Sequence, residues 1–371
     1  MKRKIRSKED IYISRRNSLK DAFPKSGIDI FFTFKSENIR YLSNFSGGNG
    51  LLLVTENRTL LFTDPRYGEE AAEETVGVEV KIGTNILDDL IKELETYSHK
   101  SIGFEAEEIT YSQYEKIMGS LPSVRLNPTY GLVEDIRIIK DEGEIGEIKR
   151  AIDIAAKAFK KTCKNLLPGA SEWDISAKLE YQIRKGGAEK TAFDFIVVSG
   201  ERGSLPHGIG TKRRVETGEM ITIDFGAKYN GYHSDCTRTL PIGDLGPKEA
   251  EIYNIVLSAQ MEAIKGVKAG VPAKDIDKIA RDIIEDAGYG EFFGHGTGHG
   301  VGLEVHESPR VSAKSDTILK AGMVITVEPG IYIPGWGGAR IEDMILVTKE
   351  GCEILTSGIP KANLEGVILR I

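Results

Sequence analysis

Acidic residues recur in this chain on two copies of one short pattern. Segment 216–226 aligns without a gap with segment 320–330, so that Gly218 falls on Gly322, Thr222 on Thr326, Asp224 on Glu328 and Gly226 on Gly330, each pair 104 positions apart. A second acid follows each copy, at Asp235 and at Glu342. Asn230-Gly231 is a two-residue hairpin signal. A turn centred there pairs Asp224 with Thr237 and puts Asp235 two positions along on the same face, with diagonal neighbours about 7–8 Å apart. In the second copy the segment Pro334–Gly338 makes the bend, and Arg340 and Glu342 share a face. Four acids converging on a core sheet repel one another and carry a steep desolvation cost. Two divalent cations remove that problem, four negative charges meeting four positive.

An imidazole completes such a set. Five of the six histidines, His207, His233, His295, His299 and His306, lie in the duplicated half, and three of them fall within twelve residues on a glycine-rich loop, 294–307. A lone histidine is more often structural than functional; three so close to a four-acid cluster read as site residues. His233 is the exception: it sits beside the turn and is expected to be exposed. A ligand set of mostly oxygens with one nitrogen suits Mn2+ or Co2+, with Zn2+ and Fe2+ also admissible.

The elements that position these residues read as two domains, 1–136 and 137–371. In the first, residues 28–34, 51–54, 59–62 and 78–82 read as strands, with a hairpin turn at 55–58. Residues 66–74, 86–94 and 112–119 read as helices, a small α/β domain. His99 sits there in a polar stretch and reads as a surface residue. A long helix begins near Asp141, its buried face marked by Ile145, Ile148, Ile152, Ala155, Phe159 and Thr162 at three- and four-residue spacing. The repeat also extends upstream: Gly169, Asp174, Ile175, Ile183 and Gly187 match Gly270, Asp275, Ile276, Ile284 and Gly288 at a spacing of 101. Each copy reads as long helix, glycine turn, second helix, loop and acid-bearing hairpin. Two such α+β copies sharing one sheet about a pseudo-two-fold axis is the economical architecture.

Composition sets the outer bounds. The chain has 371 residues, 40% hydrophobic and 28% charged, with a net charge of −7. That is the profile of a globular protein, with no basic surplus to suggest nucleic-acid binding. No apolar run is long enough to span a bilayer. The basic start has no apolar segment behind it and does not read as a signal peptide. Cys163, Cys236 and Cys352 are widely spaced, which favours a reducing, cytoplasmic compartment.

Taken together, these residues resemble the Xaa-Pro peptidases, aminopeptidase P and prolidase, within the pita-bread family that also holds methionine aminopeptidase. The likeness covers nearly the whole chain and is strongest in 199–210, 223–240, 293–307 and 327–343. The family's ligand motif falls on Asp224, Asp235, His299, Glu328 and Glu342, and all five positions carry the expected residue type. The resemblance implies a creatinase-type N-terminal domain, a pita-bread catalytic domain, two divalent metal ions (Mn2+ foremost, Co2+ or Zn2+ as alternatives) and a homodimer. Asp235 and Glu342 would bridge the metals, Asp224 completing one site and His299 with Glu328 the other. His207, His295, His306, Glu328 and Arg340 would be the catalytic and substrate-contacting residues. Glu328 would act as the proton carrier, His306 as the oxyanion donor, His295 as a substrate-orienting group, and His207 would lie on the proline side. Ala339 departs from the pattern, where a larger aliphatic residue commonly precedes the arginine.

The reaction implied is metal-assisted hydrolysis of the peptide bond before proline in proline-containing peptides. Methionine aminopeptidase lacks so long an N-terminal domain. Creatinase lacks the metals, and non-catalytic binding proteins on this fold lose ligands that are complete here. Between aminopeptidase P and the Xaa-Pro dipeptidase, prolidase, the open, glycine-rich rim 334–338, with no cation beyond Arg340 to capture a terminal carboxylate, favours the aminopeptidase.

Overall fold

The computed structural model describes residues 7–97, 99–164, 166 and 168–361 of the 371-residue chain. Its contacts divide into two compact units, one ending at Arg137 and the other beginning at Ile138. The basic start, residues 1–6, lies outside the described residues. Among the described residues, no helix is long and apolar enough to cross a membrane.

The first unit runs α1 (Lys8–Ser26), β1 (Ile30–Thr33), α2 (Ser36–Ser43), β2 (Gly50–Val54), β3 (Thr59–Thr63), α3 (Gly68–Glu74), β4 (Glu79–Ile82), α4 (Ile86–Glu95), β5 (Ser101–Glu105), α5 (Tyr111–Ser120), β6 (Arg125–Thr129) and α6 (Glu134–Arg137). Its strands form one mixed sheet in the order β4-β3-β2-β1-β5-β6. The elements read from periodicity are present, with shifted ends. Five others, α1, α2, β5, β6 and α6, were not anticipated. In α1 the buried face carries Arg15 and Arg16 beside Tyr12, Leu19 and Phe23. Their guanidinium groups donate to Tyr41 O at 3.2 Å, Leu42 O at 2.7 Å and Val76 O at 2.9 Å. Buried cations that donate to carbonyls break the apolar period that would have announced the helix. β6 contains Pro128 and forms the sheet's edge, where proline is tolerated. His99 is exposed, as expected.

The second unit runs α7 (Glu142–Cys163), α8 (Glu172–Lys185), β7 (Lys190–Thr191), β8 (Ile196–Ser199), β9 (Met220–Phe225), β10 (Ala227–Tyr229), β11 (Tyr232–His233), β12 (Cys236–Pro241), α9 (Pro247–Gly266), α10 (Ala273–Asp286), β13 (Gly298–Gly300), β14 (Glu307–Val311), β15 (Val324–Val327), β16 (Gly330–Ile333), β17 (Gly337–Arg340), β18 (Asp343–Val347) and β19 (Cys352–Ile354). α7 starts at a capping box in which Asp141 accepts from Glu144 N and Glu144 accepts from Asp141 N. It buries Ile148, Ile152, Ala155 and Phe159, and Phe159 stacks on Phe225 of β9 at 4.7 Å.

The duplication is visible in the backbone. α8 and α10 each have 14 residues. The matched glycines share positive φ: Gly169 and Gly270 at 93° and 90°, Gly218 and Gly322 at 92° and 95°. An L side chain is disfavoured there. Gly169 N donates to Val215 O at 2.7 Å, and Gly270 N donates to Leu319 O at 2.8 Å, the same bond in both copies.

The hairpins keep the expected register. Asn230 and Gly231 have φ of 45° and 78°, a type I′ geometry, and Asp224 lies opposite Thr237. The expectation of one continuous sheet needs correction. The strands form separate ladders: β12-β9-β8, β11-β10-β7, β14-β13-β15-β18-β19 and β16-β17. The interruptions fall beside the acids, and the reason is where the backbone donors go. Glu328 N donates to Thr297 O at 2.7 Å and Glu342 N to Thr237 O at 3.1 Å, bonds that leave their own hairpin. Thr239 extends this seam, its hydroxyl donating to Arg340 O at 2.9 Å and accepting from Arg340 N at 3.1 Å.

Behind the seam, Arg238 pairs with Asp343 at 2.8 Å, both side chains 1% exposed. Arg238 also donates to the carbonyls of Thr237, Glu342, Ile359 and Pro360. Removing Arg238 leaves Asp343 with Lys361, at 2.6 Å, as its remaining cation and strands the carbonyls that Arg238 held. Arg238→Met is therefore expected to cost about 3–5 kcal/mol, read from the shift in a urea unfolding curve. A loss below about 1 kcal/mol would show that this pair does not hold the seam.

Candidate active site

The two hairpins and the β13 loop bring four acids and a histidine together. Asp235, His299 and Glu342 each offer a ligand atom, and these atoms all lie within 4.8 Å of one another. His299 Nε2 is 3.7 Å from Asp235 Oδ2 and 3.4 Å from Glu328 Oε1. Asp224 and Glu342 are buried at 9% and 1% exposure. Glu342 Oε2 accepts from the Thr237 hydroxyl at 2.9 Å, which in turn accepts from Arg340 Nε at 3.0 Å.

The backbone fixes the orientation of His299. Gly298 and Gly300 flank it, and a Cβ on either would lie 2.1 Å from Thr326 O or 2.2 Å from Ser308 O. Only glycine lets the strand pass that close. His299 N donates to the Thr326 hydroxyl at 3.1 Å, and its Nδ1 lies 3.0 Å from Gly300 O. A carbonyl only accepts, so Nδ1 carries the proton and Nε2 presents its lone pair to the acids. Burial, the largest cause, lowers the pKa of His299 and favours the neutral ring.

The acids themselves are far from their ordinary ionisation. Burial and the negative neighbours Asp224 and Glu328 push Asp235 well up; burial, then Asp235 and Glu328, do the same to Glu342. Burial raises Glu328 to about 7, Arg340 working against the shift and Asp224 with it. Asp224 Oδ1 is buried with no hydrogen-bond partner among the described residues. An orphaned carboxylate oxygen, three converging ligand atoms and a pre-set imidazole fit a divalent cation held by oxygen and nitrogen.

Arg340 is placed differently from a substrate-facing cation. It is buried at 3% exposure and donates to Asp224 Oδ2 at 2.7 Å, Thr237 Oγ1 at 3.0 Å, Tyr332 Oη at 2.9 Å and Pro206 O at 3.1 Å. It fixes the Asp224 carboxylate in place. Tyr332, absent from the residues that the sequence singles out, continues the chain: its hydroxyl lies 2.9 Å from His295 Nε2, and His295 Nδ1 lies 2.8 Å from Gly296 O. The carbonyl fixes the proton on Nδ1, so Tyr332 donates to Nε2 while accepting from Arg340. Burial, the largest cause, lowers His295 to about 4. No periodicity marks Tyr332; its position four residues after Glu328 on the same hairpin was the available signal.

His306 is exposed, with its ring 4.3 Å from that of His299, and its pKa is lowered first by burial of the ring and then by His299. His207 is exposed on the segment after β8. His233 is a correction: it is buried, its N donating to Gly302 O at 2.9 Å, and burial lowers it to about 4. The strand after the turn packs inward instead of fraying into solvent. The rim is also less open than expected. Gly337 and Gly338 are buried, and a Cβ on either would meet Gly200 O or Gly203 O, so only Pro334 and Gly335 are exposed.

The duplicated hairpins and their acid-and-histidine centre define a pita-bread metallohydrolase. Residues 146–349 match metallopeptidase family M24, and residues 15–139 match the creatinase/prolidase N-terminal domain. The chain belongs to metallopeptidase family M24, whose members bind divalent metal. It is 42% identical to a Xaa-Pro dipeptidase of Pyrococcus horikoshii, over 94% of this chain and 98% of that one. Among solved structures it is similar to a Xaa-Pro dipeptidase from Bacillus anthracis, with 44% identity, a TM-score of 0.91, and 95% and 99% of the two chains covered. It is also similar to an X-Pro aminopeptidase from Thermotoga maritima, with 42% identity, a TM-score of 0.85, and 92% and 97% covered.

Because Asp235, Glu328 and Glu342 hold protons unusually firmly, a cation must displace them. Their folded pKa values lie above the unfolded ones, so the metal-free protein loses their stabilising contribution as pH rises, while metal affinity increases over the same range. Calorimetric titration with Mn2+ is expected to show proton release and tighter binding at pH 8 than at pH 6. Equal affinities and heats independent of the buffer would contradict this account of the site.

Proposed function

We propose that the chain hydrolyses the peptide bond between an N-terminal residue and a following proline, using two divalent ions, Mn2+ foremost. The observation that carries this reading is the convergence of Asp235, His299 and Glu342, with the orphaned Asp224 oxygen and Glu328 beside them. Asp235 and Glu342 would each serve both ions, Asp224 one of them, and His299 with Glu328 the other. Bound divalent ions supply Lewis acidity and make water acidic enough to be used near neutral pH. Glu328, beside His299 at 3.4 Å, would take a proton from water and pass it to the leaving nitrogen. His306, exposed beside His299, would donate to the oxyanion that develops on the scissile carbonyl. Arg340 keeps Asp224 aimed, and His295 is held by Tyr332. Proline lacks an amide N–H and has a fixed φ, so a site shaped for its ring accepts a bond that ordinary peptidases handle poorly.

Restriction to dipeptides is a second reading, carried by the dipeptidase names of the Pyrococcus and Bacillus proteins; the Thermotoga name favours longer substrates. We retain the aminopeptidase as first reading, together with a homodimer and a cytoplasmic setting. The free cysteines Cys163, Cys236 and Cys352 support the last.

The deciding assay compares hydrolysis of Ala-Pro with Ala-Pro-Ala by Mn2+-loaded protein. Cleavage of both supports the first reading, cleavage of Ala-Pro alone supports the second, and cleavage of neither refutes the proposed activity. Glu342→Ala is expected to abolish binding of both ions, measured by metal analysis after desalting; retention of one ion would remove the bridging role.

His306→Ala should keep its metals and lower kcat by roughly 10²-fold, the scale of a lost oxyanion donor. His99→Ala should leave kcat unchanged. Equal effects from the two substitutions would undo the assignment of His306.

A further inference from the structure

Two buried acids outside the ligand cluster each hold one histidine loop in place. Glu172, the first residue of α8, is fully buried. One carboxylate oxygen accepts from Ser199 N at 2.8 Å and Ser199 Oγ at 3.0 Å. The other accepts from Thr211 N at 2.9 Å, Thr211 Oγ1 at 2.9 Å and Arg202 Nε at 3.1 Å. Arg202 then reaches Ile209 O at 2.5 Å. The segment so pinned at both ends, Ser199 to Thr211, carries His207 and none of the five ligands.

Asp277, on α10, is equally buried. It accepts from Thr297 N at 3.1 Å and Thr297 Oγ1 at 2.9 Å, and from Arg281 through two bonds of 3.0 Å. Arg281 donates to Phe293 O at 2.9 Å and His295 O at 2.8 Å. Thr297 O receives Glu328 N, and His299 follows two residues later. This segment therefore carries His295 and leads into two ligands.

The two clamps share a design without sharing a position. Asp277 lies one helical turn further along its helix than Glu172 does, so the internal repeat does not account for them. In each, an acid takes backbone N–H and its arginine takes backbone C=O, which satisfies both polarities of a segment that lies largely outside the strand ladders. Each carboxylate is fully buried and has an arginine beside it, and charge-assisted bonds of this kind are the stronger ones.

We propose that Glu172 with Arg202, and Asp277 with Arg281, are positioning residues that divide the labour of the site: the first sets substrate affinity through the His207 loop, and the second sets metal affinity through the His295–His299 loop. The substrate half of this statement rests on the proposed peptidase activity; the metal half does not.

The test uses full-length Glu172→Gln and Asp277→Asn. For Glu172→Gln, Mn2+ affinity should match wild type, KM for Ala-Pro should rise roughly tenfold with kcat retained, and amide hydrogen exchange should quicken in 199–211 but not in 293–299. For Asp277→Asn, Mn2+ affinity should fall about 10–100-fold, the cost of losing a residue that orients ligands, and exchange should quicken in 293–299 alone. If either acid variant fails to fold, Thr211→Ala and Thr297→Ala remove one hydroxyl donor from each clamp and should give the same split in smaller measure. Parallel changes in both variants, or unchanged exchange in both loops, would overturn the proposal. Absence of turnover in wild type would refute the peptidase reading only, since Mn2+ titration and amide exchange still decide the clamps.

Discussion

Three buried carboxylates and a half-buried fourth, Glu328, meet where two hairpins join, and among the described residues Arg340 is the arginine paired with them. Asp224, Asp235, Glu328 and Glu342 face Arg340, which spends its charge on Asp224 at 2.7 Å. The remaining negative charge has to be cancelled by protons or by bound cations, because like charges in a desolvated space cannot all persist. Without a cation the acids keep protons, as the raised Asp235, Glu328 and Glu342 show. Much of the surrounding architecture derives from this requirement. A duplicated hairpin delivers two acids per copy, and broken ladders release backbone donors that tie the copies to each other.

The histidines obey a related rule, applied through carbonyls instead of charges. His299 and His295 each place Nδ1 against the carbonyl of the next residue, Gly300 O and Gly296 O. The backbone thereby chooses the tautomer, and burial keeps both rings neutral. For His299 this frees Nε2 to act as a ligand. For His295 the same choice gives Nε2 to Tyr332, so the two rings, four residues apart on one loop, have different duties under one local geometry. Glycines around them are part of the device, since Gly298 and Gly300 let the strand approach Thr326 and Ser308 more closely than any side chain would permit.

Much of this was legible in the sequence because the acids lie on a repeated pattern and their spacing encodes strand register. The pairing of Asp224 with Thr237 came from one turn dipeptide, Asn230-Gly231. The long helix came from its period and its cap at Asp141. Several features that escaped share a physical character: buried polar groups held by partners that spacing does not reveal. Helix α1 hid behind two buried arginines, and Tyr332 owes its place to Arg340 and His295. His233 was misjudged because turn proximity suggested exposure, whereas a carbonyl 69 residues away, Gly302 O, takes it inward. The commitment of Arg340 to Asp224 and the packing of Gly337 and Gly338 were likewise invisible to spacing.

The burial of Arg340 bears on how such a site could choose between substrates. A dipeptide ending in proline carries a carboxylate where a longer peptide carries a neutral amide, a difference of one full charge. Discrimination by charge calls for a cation free to meet it, and Arg340 is buried and committed to Asp224, Thr237, Tyr332 and Pro206. Of the histidines discussed, His306 is exposed beside the cluster and is held toward its neutral form; a neutral imidazole donates one hydrogen bond to a carboxylate or to an amide carbonyl alike. The seam that breaks the bond is therefore nearly indifferent to the group on the far side of proline. Selection by length has to come from groups outside it, and relatives of comparable identity and overall fold carry both names, dipeptidase and aminopeptidase.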